Sequence, residues 1–300
     1  MDDTTYENYK NAGEIAAGAR NYGAKLIKTG VSFLDVANKV ESKILNSGAG
    51  IAFPTNISIN EIAAHYSPRI DDNLCFKKGD VVKLDVGSHI NGYIADTAVT
   101  LEVGTNNYEE MIQASSDALE NAINNMKANV NLSEIGRIIE EKILSYGFKP
   151  IDNLTGHSLK QYDLHSGLSV PNVANSYQKN KPQVGDVIAI EPFATNGAGH
   201  VMSGGGSNIY LCNRSFRSRV IRDNRSRIIF EKMINRFKTL PFAQRWCNNF
   251  LSGRVDPVLK RLTFLGLLKH YPQLIDAKGG IVTQKEHTVI IKEDGCEVIT

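Results

Sequence analysis

The chain has 300 residues, of which 42% are apolar and 22% charged, with a net charge of +2. This is the profile of a globular protein with room for one large domain or two smaller ones, and no apolar run approaches the ~20 residues of a membrane-spanning helix. The acidic start Met1-Asp2-Asp3 lacks the basic flank and apolar stretch of a signal peptide, and Cys75, Cys212, Cys247 and Cys296 form no CxxC pair, so a cytoplasmic protein with reduced thiols is expected.

Asn11 to Thr29 predicts a first helix, Ala-rich and polar with apolar residues at helical spacing. The stretch from Val31 to Gly48, VSFLDVANKVESKILNSG, predicts a second, with Ser32 as cap and Gly48 as stop. His65 follows, and then Gly79-Asp80 turns into an apolar strand that ends on Asp85. The same order then recurs. Glu109 to Lys127 is a helix, and Val130 to Gly147, VNLSEIGRIIEEKILSYG, aligns without gaps on the earlier stretch, sharing Glu41/Glu140, Lys43/Lys142, Ile44/Ile143, Leu45/Leu144 and Gly48/Gly147. His165 follows, and Gly185-Asp186 feeds a second strand that ends on Glu191. Two related halves facing one site are therefore expected.

From Arg214 to Arg261 there are thirteen Lys/Arg against three Asp/Glu, a local charge of +10 that leaves −8 for the remainder. The segment 201–271 reads as a basic helical insertion, with Pro241 and Pro257 as helix boundaries. It would separate a catalytic unit made of residues 1–200 and 272–300. Strands return around Glu286, and Asp294-Gly295 signals a closing hairpin.

The sharpest local feature is Asp85-Val-Gly-Ser-His-Ile-Asn-Gly-Tyr-Ile-Ala-Asp96. Asn91-Gly92 is a type I′ hairpin signal, which would pair Ile90 with Tyr93 and Gly87 with Asp96. Asp85 and Asp96 then become diagonal neighbours, about 7–8 Å apart at the backbone. Facing carboxylates repel, and either a shared proton or a cation relieves them; two exposed strand acids would need neither. His157, Glu191 and Glu286 are further candidates. Convergence of two Asp, two Glu and one His would suit a dinuclear centre of Mn, Fe, Co or Zn, its ions about 3.5–4 Å apart and activating a water between them.

The order and contexts of Asp85, Asp96, His157, Glu191 and Glu286 resemble the methionine aminopeptidases of the pita-bread fold, an α+β architecture of pseudo-twofold halves. The resemblance spans essentially the whole chain. The insertion containing Leu240-Pro-Phe-Ala-Gln-Arg-Trp-Cys247, the segment from Gly156-His157 to His165-Ser166-Gly167 and the ending Gln284-Lys285-Glu286-His287-Thr288 narrow it to type II, in its archaeal form without an N-terminal extension. It implies removal of the initiator methionine from nascent polypeptides when the second residue is small. It also implies two divalent ions (Co, Mn, Fe or Zn), one held by Asp85, both bridged by Asp96 and Glu286, and the other completed by His157 and Glu191. Glu191 would shuttle the proton, His165 would contact the scissile peptide, and His65, the residue alkylated by fumagillin-type epoxides in this family, would assist. Phe53, Leu164, Phe193 and Tyr271 would line the methionine pocket together with the two histidines. A monomer is expected, without membrane attachment, and with a ribosome contact through the basic insertion.

Three other readings compete. Prolidases share the five-ligand pattern but carry a substantial domain before it, and here the first repeat helix begins near residue 31. A non-enzymatic binding protein on the same scaffold would have lost ligands, whereas all five are present. A nucleic-acid module built on the insertion would use its charge, although the segment contains no recognisable binding motif.

Overall fold

The computed structural model describes residues 1–213, 221, 223–250 and 255–300. Helix α1 (Asp3–Leu26) starts well before the expected Asn11, because Asp2 caps it and accepts the Thr5 amide at 2.8 Å. The first half continues through α2 (Phe33–Asn46), β1 (Gly50–Ile59), β2 (Ile62–Ala64), β3 (Val81–Ile90) and β4 (Tyr93–Glu102). The second contains α3 (Glu109–Asn125), α4 (Leu132–Ser145), β5 (Lys149–Pro150), β6 (Thr155–Leu159), β7 (Ser169–Pro171), β8 (Val187–Ile190) and β9 (Phe193–Thr195). The chain then runs through β10 (Val201–Cys212), α5 (Asn224–Phe237), β11 (Phe242–Ala243), a 3-10 stretch (Gln244–Phe250), α6 (Asp256–Phe264) and β12 (Leu268–Asp276). It ends in β13 (Val282–Gln284), β14 (His287–Ile291) and β15 (Cys296–Val298).

The internal repeat has a physical counterpart. Ile44 and Ile143 are buried while their neighbours Leu45 and Leu144 are 56% and 50% exposed, so the two helices present the same face to their sheets. Both helices stop at a left-handed glycine, Gly48 at φ 82° and Gly147 at φ 81°. Both strand entries use the same turn: the Asp80 carboxylate accepts the Lys77 amide at 2.7 Å, and that of Asp186 accepts the Gln183 amide at 2.8 Å. Ser32 occupies its cap position without a side-chain bond, whereas Asn131 accepts the Ser133 amide at 3.0 Å.

Each half has its own core. Phe33, Val36, Val40 and Ile44 of α2 pack on Val82, Leu84 and Val86 of β3. Leu132, Ile135, Ile139 and Ile143 of α4 pack with Ile188, Ile190, Val289 and Ile291. Each such side chain contributes about 1.5–3 kcal/mol by leaving water. The sheet orders are β1-β3-β4 in the first half and β15-β14-β8-β6-β7 in the second. A seam joins them along β4: the Ala98 and Glu286 backbones exchange hydrogen bonds at 3.2 and 3.3 Å, the Thr97 hydroxyl donates to the Glu286 carbonyl at 2.9 Å, and the Thr100 hydroxyl donates to that of Gln284 at 2.7 Å.

The segment 201–271 departs from the helical insertion that its sequence predicts, because it is entered and left on strands. β10 pairs with β12 from Val201↔Asp276 to Cys212↔Leu268, and β12 pairs with β2 of the first half. Three successive glycines, Gly204 to Gly206, disfavour a helix there, and among the described residues of the segment helical structure is confined to α5, the 3-10 stretch and α6. These pack around Phe230, Met233, Phe242, Leu259 and Leu262. A buried ionic cluster ties them to α2: Glu41 accepts from the Arg245 guanidinium, from the Trp246 indole at 2.8 Å and from the Thr55 amide at 3.1 Å. Arg214, Arg217, Arg219, Arg222 and Arg254 of the basic segment lie outside the described residues. Among those described, no helix is long and apolar enough to cross a membrane.

Candidate metal centre

The β3–β4 hairpin forms as its sequence dictates. Asn91 and Gly92 are both left-handed, at φ 52° and 89°, Ile90 pairs with Tyr93, and Gly87 pairs with Asp96. Asp85 and Asp96 are thereby set diagonally on one face. Gly87 lies between them in register, and a Cβ there would sit 2.1 Å from the Phe53 ring, so the glycine lets an aromatic wall lie directly on the strand beside the carboxylates. His157 on β6 pairs with Ala189 on β8, and Glu191 follows β8 directly. Glu286 enters through the seam between β13 and β14. The five residues thus come from both halves and from the closing strands, and all five line one cavity of about 70 Å³.

Ligand atoms of Asp96, His157 and Glu286 lie within 4.8 Å of one another, and His157 Nε2 is 3.7 Å from Asp96 Oδ2 and 3.8 Å from Glu191 Oε1. Asp85 Oδ1 and Asp96 Oδ1 are buried without a hydrogen-bond partner, which costs stability unless something else binds them. Burial raises the pKa of all four carboxyls, that of Asp85 to about 7, and the charges of Asp85 and Glu191 raise Asp96 further. Burial lowers that of His157 to about 3, so its imidazole is neutral, as a ligand must be. Repelling carboxylates, orphaned oxygens and a neutral imidazole together fit divalent cations.

Sequence reasoning missed three supporting side chains. The Asn56 amide donates to Asp85 Oδ2 at 3.4 Å, and the Gln284 amide donates to Glu191 Oε2 at 3.2 Å and Glu286 Oε2 at 3.3 Å. Arg20, 7% exposed on α1, bonds the Thr97 hydroxyl and places its charge near Glu286. A signal existed for each: Asn56 and Gln284 are polar within buried strands, and Arg20 shares a face with Ala16, Ala19 and Gly23.

Phe53, His65, Leu164, His165 and Tyr271 line the cavity beyond the carboxylates, with Ile209 and Pro241 added by β10 and the insertion. His65 is held in the left-handed region, at φ 67°, with its ring 5.4 Å from and edge-on to Tyr271. The His165 ring is 4.3 Å from that of His157. Phe193 does not line the cavity. It is 1% exposed and packs behind it with Ala63, Ile151, Val201 and Val282, because alternation along β9 turns it into that cluster.

Residues 7–232 match metallopeptidase family M24. The chain belongs to that family. It is 45% identical over 302 residues to the methionine aminopeptidase of Methanocaldococcus jannaschii, covering 100% of both chains. Among solved structures it is similar to a thermophilic Arx1, with TM-score 0.87 at 17% identity over 100% of this chain and 91% of that one. It is also similar to the methionine aminopeptidase of Thermotoga maritima, with TM-score 0.72 at 22% identity over 100% and 98%. The fold is the pita-bread α+β fold, and membership of M24 makes the protein a user of divalent metal.

A pH prediction follows from the raised carboxyl pKa values. In the metal-free protein the folded state keeps protons that the unfolded chain releases at about pH 4. Stability is therefore present in full below that pH and falls as pH rises toward 7, through the folded-state pKa of Asp85. A cation replaces those protons, so the rise in melting temperature on adding metal should be larger at pH 7.5 than at pH 5.5, with a stabilisation of about 4 kcal/mol once metal is in thousandfold excess over Kd. Calorimetry at both pH values checks this, and equal rises would mean that the carboxylates are not the binding groups.

Proposed function

We propose that this M24 protein is a methionyl aminopeptidase acting on the N-termini of nascent polypeptides whose second residue is small. The observation that carries this reading is an Asp/Asp/His/Glu/Glu cluster in a cavity otherwise walled by Phe53, Leu164, Tyr271 and two further histidines. Asp85, Asp96, His157, Glu191 and Glu286 would hold two divalent ions, of Co, Mn, Fe or Zn. The metal pair supplies Lewis acidity and a water reactive at neutral pH.

The chain's own residues do the rest. Asp96 and Glu286, which come from opposite sides of the seam, would be shared between the two ions, while Asp85 would hold one of them and His157 with Glu191 the other. Gln284 holds one oxygen of Glu191, leaving the other to take a proton from the attacking water and deliver it to the departing amine. His165, at the cavity mouth, donates to the scissile carbonyl oxygen as charge develops on it, and His65 assists from the Tyr271 side. Phe53, Leu164 and Tyr271 enclose the unbranched thioether side chain. The protein acts as a monomer in the cytoplasm. Its basic insertion, with Arg225, Arg227, Lys232 and Arg236 on α5, contacts ribosomal RNA, and salt-sensitive co-sedimentation with ribosomes tests that contact.

The test of the activity is specificity. Metal-loaded protein should cleave Met-Ala and Met-Gly peptides at least about tenfold better in kcat/KM than Met-Lys or Met-Leu peptides, because a larger second side chain meets the wall. Leu-Ala peptides should be poor substrates, and Xaa-Pro peptides lacking Met should be untouched. Cleavage of Met-Lys as fast as Met-Ala would refute the reading.

A further inference from the structure

The catalytic cavity has an outlet. A second cavity, of about 390 Å³, shares Leu164, His165, Pro241 and Tyr271 with the first and adds Asp163, Leu211, Thr239 and Lys269. The methionine is held against the carboxylates with its scissile carbonyl near His165. The rest of the polypeptide must then leave past His165, and an extended chain advances about 3.3 Å per residue, so the third residue falls within this outlet.

The outlet lining carries two opposite charges, Lys269 and Asp163, both exposed. Lys269 lies on β12, paired with Leu211 of β10, and shares a face with Tyr271 two residues on. Its ammonium lies 5.1 Å from the centre of the Tyr271 ring. Asp163, also in the lining, belongs to the exposed connection between β6 and β7, where its backbone exchanges hydrogen bonds with Lys160 at 2.9 Å in a local bridge outside the sheet. A charge on a paired strand is held more closely than one on a loop. We propose that Lys269 is a specificity-determining residue that reads the third residue of the substrate and favours an acidic side chain there. This rests on the aminopeptidase reading above.

The experiment compares Met-Ala-Glu-Gly-Ser with Met-Ala-Lys-Gly-Ser on the metal-loaded enzyme at low and high salt. The ratio of the two kcat/KM values is taken within each protein and so is independent of any general change in activity. In the parent the Glu peptide should be favoured about two- to fivefold, the range of an exposed ion pair, and the preference should shrink as salt rises. Lys269→Gln should bring the ratio close to one, and Lys269→Glu should invert it. A ratio left unchanged in Lys269→Glu, or a parent that favours the Lys peptide, overturns the assignment to Lys269. Failure to cleave either peptide at all would instead count against the aminopeptidase reading, so the two failures are distinguishable.

Discussion

Glu286→Ala and Asp96→Ala should each abolish measurable turnover of Met-Ala peptides while leaving a folded protein. Each removes a carboxylate proposed to serve both metal positions. Loss of only a supporting hydrogen bond in a metal site typically costs about 10–100-fold, so the effect of losing a bridging ligand starts above that range. Glu286 and Asp96 are 1% and 4% exposed among other carboxylates, and removing one relieves repulsion in the metal-free state. The metal-free variants should therefore melt at or above the parent temperature, a direction opposite to that of an ordinary core truncation. Metal content, turnover and a melting curve on the same samples check the point, with exposed Glu110→Ala as control. Parent-like turnover by Glu286→Ala in metal-stripped buffer would remove Glu286 from the centre.

His165→Ala should retain its metal and lose about 10²–10³ in kcat, the cost of one hydrogen bond aimed at a developing oxyanion. His65→Ala should also keep its metal, lose activity, and no longer be labelled by an epoxide that alkylates imidazole. Both histidines line the cavity without belonging to the carboxylate cluster, and His65 Nδ1 is buried with no hydrogen-bond partner. Burial holds His65 neutral by lowering its pKa to about 4, so its imidazole is available as a nucleophile at neutral pH. Should His165→Ala lose its metal, or should the parent be labelled elsewhere than at His65, the division between ligands and substrate contacts fails.

Much of this arrangement is legible in the sequence because it rests on short-range rules applied twice. Asn91-Gly92 leaves little choice of register, so the relation of Asp85 to Asp96 follows from the turn residues alone. The two aligned helices likewise announce two halves. What is not legible is set by contacts between distant segments. Arg20 and Glu286 are brought together only by the packing of α1 on the seam. Gln284 acquires its role because β13 leads directly into the centre. Nearness to Glu191 suggests Phe193 for the pocket, but the strand's alternation turns it away. A helical reading of the insertion overlooks β10 and β12, whose pairing partners lie at the far ends of the segment.

The seam along β4 also orders the events of biosynthesis. Thr97 and Glu286 are 189 residues apart, yet they are hydrogen-bonded across the seam beside the centre. A chain elongated only through β9 carries four of the five proposed ligands and the direct packing of Tyr9 and Ile94 on Leu159 and Val187, but not the strand that closes the seam along β4. Metal capture in earnest must then await the last strands, as must the loop closure that slows folding most. A partly made copy is thus an inactive one, and the catalyst switches on only when its final hairpin docks between the two halves.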